Sequence, residues 1–171
     1  FEKIEFLFNK YKSSNPFLIL DLEIWKKKLY EFYLLDKERL THRKIIALEK
    51  SFSCEFEGIQ IKGVIDRIDS YEDKYEVIDY KTSATLSVDT LKNYDKTDDF
   101  QLEFYYLAMS EMYKTDKIEA YYYDLNNTQL INEIALDKKL ELLCEKFNEL
   151  KEISKNEISF FKCEDKTNCT Y

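Results

Sequence analysis

Gly63-Val64-Ile65-Asp66-Arg67-Ile68-Asp69, followed past the polar segment Ser70-Tyr71-Glu72-Asp73-Lys74 by Val77-Ile78-Asp79-Tyr80-Lys81-Thr82, reads as two β-strands joined by a tight turn. Two carboxylates and a lysine stand inside this apolar, β-branched sequence. Ionised groups are costly there unless they are paired or bind a metal. By the period-2 rule, Ile59, Ile61, Gly63 and Ile65 form an apolar face, and Gln60, Lys62, Val64, Asp66 and Ile68 form a mixed one. In the second strand Tyr75, Val77, Asp79 and Lys81 share a face, which puts the Asp79 and Lys81 backbones roughly 6.5 to 7 Å apart. A two-residue turn at Glu72-Asp73 sets Asp66 opposite Asp79.

Like charges across a ladder repel. A divalent, oxygen-preferring cation between the two carboxylates, with Lys81 beside it, removes the repulsion. Two acids, a lysine and Mg²⁺ or Mn²⁺ suit phosphodiester hydrolysis, because the cation polarises a phosphoryl oxygen and lowers the pKa of an attacking water. From spacing alone an alternative stays open, in which Asp66-Arg67 and Asp79-Lys81 are ordinary ion pairs on a solvated sheet face. Downstream, Asp98-Asp99 borders an apolar-periodic run from Phe100 to Met112, which predicts a helix with Gln101 and Tyr105 one turn apart on one face. Read without its neighbours, Tyr105 is better taken as core filler among Phe100, Phe104 and Tyr106.

These three motifs, taken in order, resemble the PD-(D/E)XK nuclease superfamily, and most closely the nuclease domains of the RecB and AddB helicase-nuclease subunits of double-strand-break repair. The resemblance implies an α/β fold with a central mixed β-sheet flanked by helices, a restriction-endonuclease-like core. It also implies metal ligation by Asp66, Asp79 and the Tyr80 carbonyl, a catalytic Lys81, and Gln101 and Tyr105 on a helix lining the active site. Glu49 is the best candidate for an upstream acidic group, with Glu31 and Glu38 on the preceding helix pattern as its competitors. The sole histidine, His42, stands too near that segment to match the early-helix histidine of many such nucleases and reads as a helix-end residue.

Such proteins can also carry a 4Fe-4S cluster held by one cysteine before the core and three after it. Here Cys169 would be the first of that trio, and residues 1 to 53 contain no cysteine. The expectation is therefore no cluster in this chain, with one conceivable only in the full-length protein. Cys54, Cys144, Cys163 and Cys169 read as free thiols of a reducing cytoplasm.

A chain of 171 residues reads as one nuclease domain over 1–171, excised from a longer protein, and 44% hydrophobic residues can fill a core. With 14 Tyr and 12 Phe against two Gly and one Pro, it is not a disordered or linker-rich chain. It lacks an apolar run of the roughly 18 residues needed to span a bilayer and a signal-peptide pattern, so neither a membrane nor secretion is expected. The net charge of -8 is awkward for a DNA enzyme, because phosphate neutralisation supplies most non-specific affinity. Basic groups at Lys26-Lys27-Lys28, Arg43-Lys44 and Lys92 are local. DNA is thus expected to be delivered by a helicase domain or a partner subunit. A catalytically silent DNA-guiding module and a stand-alone Cas4-like exonuclease are the alternatives.

The remaining pattern predicts helices at about 2–12, 21–40, 99–114 and 137–154, and strands at about 48–57, 59–69, 75–81, 118–123 and 129–136. A loop at 82–97 is placed to close over the site. The strand Tyr121-Tyr122-Tyr123 reads as packing with wet hydroxyls in preference to base stacking.

Overall fold

The computed structural model describes residues 2–10 and 15–155. Helix α1 (Glu2–Lys10) precedes α2 (Pro16–Arg39), and the hairpin strands β1 (Lys44–Phe56), β2 (Ile59–Tyr71) and β3 (Lys74–Lys81) follow. Helix α3 (Gln101–Tyr113), strands β4 (Ile118–Asp124) and β5 (Gln129–Asn132) and helix α4 (Leu136–Lys155) complete the order. The five strands form one sheet in chain order, parallel only at β3–β4, where α3 makes the crossover. This is the mixed α/β sheet with flanking helices implied by the restriction-endonuclease-like resemblance.

Local chemistry explains most boundaries. Asn15 accepts from the Phe17 N–H at 3.0 Å and Pro16 occupies the first turn, so what reads as a chain break in sequence is a helix start, and α2 begins five residues earlier than its expected 21. The β1–β2 connection is Glu57-Gly58, with φ of 52° and 76°, as a two-residue turn with two left-handed residues requires. Glu72 in the β2–β3 turn also has positive φ. Strand β5 stops at Asn132, well short of the expected 136, because α4 already begins at Leu136.

Strand β3 has two distinct faces, as its sequence reads. Val77 joins Ile65, Ile68, Leu102, Tyr105, Ala108, Met109, Ala120 and Tyr122 in the core under α3. Glu76 and Tyr80 point to α2, where Arg39 bonds Glu76 and Phe32 meets the Tyr80 and Tyr123 rings edge-on at 6.0 and 4.8 Å. Strand β2 corrects the expected alternation. Ile68, placed in sequence on the mixed face with Asp66, is fully buried in the same core as Ile65, while Arg67 and Asp69 face α2. The phase slips by one at Asp66. Level with it on β1 stands Glu49, whose φ of 49° takes that strand out of the extended conformation and breaks the pleat.

The face towards α2 is closed by ions. Arg67 donates to both Asp36 oxygens at 2.9 Å, to Asp69 at 2.8 Å and to the Tyr80 hydroxyl at 3.2 Å. Arg39 bonds Asp69 and Glu76, and Arg43 adds a second bond to Glu76 at 2.8 Å. Phe32, Asp36 and Arg39 recur at helical spacing, so one stripe of α2 supplies both the aromatic and the ionic contacts. Burial works against the Arg67 guanidinium, but Asp69 and Asp36 more than offset it and raise its pKa. Arg67 therefore pairs with Asp36 and Asp69, not with Asp66.

Arg67→Met should strip the buried Asp69 and Asp36 of a shared partner and cost about 3–5 kcal/mol. In guanidinium titrations the midpoint is expected to fall with an unchanged m-value; an unshifted midpoint would show that the network contributes nothing to docking α2.

Candidate active site

The β2–β3 ladder follows the register expected from the turn but ends at Arg67–Ile78, one pair short of Asp66 and Asp79. Beyond it the Tyr80 N–H donates to Asp66 Oδ2 at 2.9 Å, so a side-chain carboxylate takes the place of a strand carbonyl. This interaction fixes Asp66 between the strands, half-buried, with its backbone neighbour Arg67 turned away to α2.

Asp79 is 2% exposed and lies on the α3 side of β3. Its Oδ1 accepts from Gln101 Nε2 at 2.6 Å and from the Tyr105 hydroxyl at 3.3 Å. Its Oδ2 has the Lys81 ammonium at 2.9 Å but no hydrogen bond of good geometry. Lys81 also donates to Gln101 Oε1 at 2.7 Å, and Gln101 Nε2 reaches the Tyr105 hydroxyl at 2.9 Å. Asp79, Lys81 and Gln101 thus close a three-membered ring of polar contacts. The Asp99 carboxylate accepts from the Gln101 N–H at 3.0 Å, which anchors the first turn of α3 where the glutamine must stand.

The electrostatics follow from this geometry. Burial pushes the Asp79 pKa up, Lys81 draws it back down, and the nearby Asp66 charge raises it again, with a net upward shift. The Tyr105 hydroxyl is raised above its ordinary value, mainly by burial. A cation placed between the two aspartates would relieve both desolvation and mutual repulsion.

Of the residues singled out in sequence, Asp66, Asp79, Tyr80, Lys81, Gln101 and Tyr105 are therefore brought together. Glu49 stays exposed on β1 with no hydrogen-bond or ion-pair partner among the described residues. Among those residues no three His, Cys, Asp or Glu side chains converge as a metal-ligand group. Two carboxylates are nonetheless a donor set that Mg²⁺ accepts, because it keeps several waters. His42 sits in the turn after α2, with its N–H on the Arg39 carbonyl at 3.4 Å, on the other side of the sheet. Cys54 and Cys144 are free thiols, and Cys163 and Cys169 lie outside the described residues.

Two neighbours escaped the sequence reading. Tyr122 is paired in register with Asp79 across the parallel β3–β4 ladder, and its ring lies 5.3 Å from the Lys81 ammonium. Its hydroxyl donates to Asp99 at 3.3 Å, while Tyr121 donates to Glu119, so these two tyrosines pack with satisfied hydroxyls. Behind Tyr122, the buried Lys139 ammonium faces Glu133 at 3.2 Å and Glu103 and Asp89 at 3.4 Å. Asp89 lies in the loop after β3. That loop is further held by Asn126, which donates to the Ser83 and Ala84 carbonyls at 3.3 and 3.1 Å, so it is stitched to its surroundings beside the site. Only the folded crossover brings these groups together.

No helix among the described residues is long and apolar enough to cross a membrane. A family model of the PD-(D/E)XK nuclease superfamily matches residues 6–171, and the chain belongs to that superfamily. Comparison with curated proteins returns no match.

Glu103 is fully buried, and desolvation lifts its pKa to about 7 despite Lys139. Because the folded value exceeds the unfolded one, its contribution is fully present below about pH 4.5 and is lost as pH rises through about 7. Glu103→Gln should therefore remove a pH-dependent component on the order of 3 kcal/mol. Measured by thermal melts, the stability of the parent relative to the variant is expected to decline between pH 5 and 8; a constant difference would contradict the buried-acid assignment.

Proposed function

We propose that this member of the superfamily is a divalent-metal-dependent deoxyribonuclease. The observation that carries the reading is the closed contact ring of Asp79, Lys81 and Gln101 beside an Asp66 carboxylate locked to the Tyr80 N–H. The donor chemistry fits Mg²⁺ or Mn²⁺: Asp66 and Asp79 are hard oxygen ligands, the Tyr80 carbonyl is a third, and the buried Asp79 Oδ2 has an ionic neighbour but no hydrogen bond. When bound, the cation would polarise a phosphoryl oxygen and make an attacking water more acidic.

The chain's own residues divide the remaining work. Lys81 carries a point charge that can orient the incoming water or offset charge building on the phosphorane-like transition state. Gln101 holds the lysine through its carbonyl and Asp79 through its amide, so one side chain sets the distance between them. Tyr105 backs the same aspartate oxygen and keeps it from turning away. Glu49, exposed on β1 and level with Asp66, would add an extra ligand or a group that orients the base.

In the wider setting, the domain would serve a helicase-nuclease that processes double-strand breaks for recombinational repair, acting as an exonuclease on ends delivered to it. The net charge of -8 supports this division, because a helicase domain or partner subunit would supply the grip on DNA that this acidic chain lacks.

With end-labelled DNA and Mg²⁺, Asp79→Ala and Lys81→Met should each lower the cleavage rate by about 10²–10³-fold or more, with far-UV circular dichroism unchanged. Undiminished cleavage by Asp79→Ala would contradict the assignment.

A further inference from the structure

We propose that the groove between the β1–β2 arm and α3 is a nucleobase pocket that seats one unstacked base next to the reacting phosphate. This deepens the nuclease reading and rests on it for the identity of the ligand. The β2–β3 ladder begins only at Arg67, so residues Ile59–Asp66 form, with β1, a two-stranded arm that extends past β3. Where α3 lies against this arm, a cavity of about 290 Å³ opens.

Its walls have the chemistry of a base site. Phe52 and Gly63 form the floor. A Cβ at Gly63 would stand 2.7 Å from Phe52 Cζ, so the missing side chain is what lets the ring lie against the β2 backbone. The Phe52 ring is held edge-on by Tyr105 at 6.2 Å, and Phe104 on α3 is propped from behind by Phe147 at 6.2 Å. Phe104, only partly buried, presents the aromatic face that can meet any base without reading its sequence, while Phe52, 8% exposed, backs the floor as part of the core. At the mouth stand Val64, 43% exposed, and the exposed Lys62, whose ammonium is suited to a flanking phosphate.

Continuity with the catalytic centre identifies the occupant. Gln101 and Tyr105 line the groove and are the same two side chains that hold Asp79 Oδ1. A ligand whose charged part lies at Asp66 and Asp79 and whose flat apolar part lies in this groove is a nucleotide of a strand, with its base turned out of the stack. Duplex bases cannot reach the groove without unpairing, so the pocket would favour single strands and frayed ends.

The test compares binding of a short fluorescent oligothymidylate with a fully abasic strand of the same length, by anisotropy in EDTA. Both strands carry the same phosphates and neither is cleaved without metal. The full chain should bind the base-bearing strand about tenfold more tightly. Phe104→Leu, which keeps an apolar contact for Phe147 but removes the aromatic face, and Val64→Met, which narrows the mouth from an exposed position, should each bring the ratio below about threefold. Equal affinities in the parent, no measurable binding of either strand at low salt, or a ratio that neither folded variant changes, overturns the pocket and leaves the groove to another segment or a partner. A tenfold ratio that both variants lower, in a chain that fails to cleave with Mg²⁺, would sink the nuclease reading and leave the pocket standing.

Discussion

Burial of the Asp79 carboxylate is the constraint on which the rest of the arrangement depends. At 2% exposure it cannot be hydrated, and desolvation alone would favour its neutral form. Lys81 from the same strand face, Gln101 and Tyr105 from α3, and Asp66 from β2 all converge on it or on each other. Strand, crossover helix and hairpin must each be in place before any of these contacts exists. A polar cluster of this kind does not stabilise a fold cheaply, and an apolar residue would pack better at position 79. The cluster is the arrangement that the proposed cation and substrate phosphate would complete.

The opposite face of the same strands carries a second buried charge network, and the two are coupled through backbone geometry. Arg67 and Asp69 reach α2 because the alternation of β2 slips at Asp66, and the same slip frees Asp66 to accept the Tyr80 N–H. Asp36, Arg39 and Arg43 then clamp α2 across β2 and β3. The ion network thus ties α2 to the same two strands that carry Asp66 and Asp79.

The sequence made much of this legible, for identifiable reasons. Turn length fixes the β2–β3 register, and period 2 fixes the shared face of Val77, Asp79 and Lys81; both are local rules. The Gln101–Tyr105 face follows from helical spacing. The phase slip was not legible, since it reflects the left-handed backbone at Glu49, an ordinary residue that gives no sequence signal. The start of α2 was equally hidden, since a proline ahead of an apolar run reads as a break until its place after the capping Asn15 makes it a helix start. The Arg67–Asp36 and Lys139–Glu103 pairs, and Tyr122 beside Lys81, join residues far apart in the chain and depend on the crossover. The single mixed stripe of Phe32, Asp36 and Arg39 was equally opaque, because aromatic and charged residues together do not read as a buried helix face.

The most direct test of the central claim is electron paramagnetic resonance of Mn²⁺ titrated into the full chain, in which bound ion loses its free-ion signal. Asp66 and Asp79 sharing a cation predicts saturable binding that is lost when either residue alone is changed to Asn. Binding that survives both single changes, or no binding to the parent chain, would contradict it.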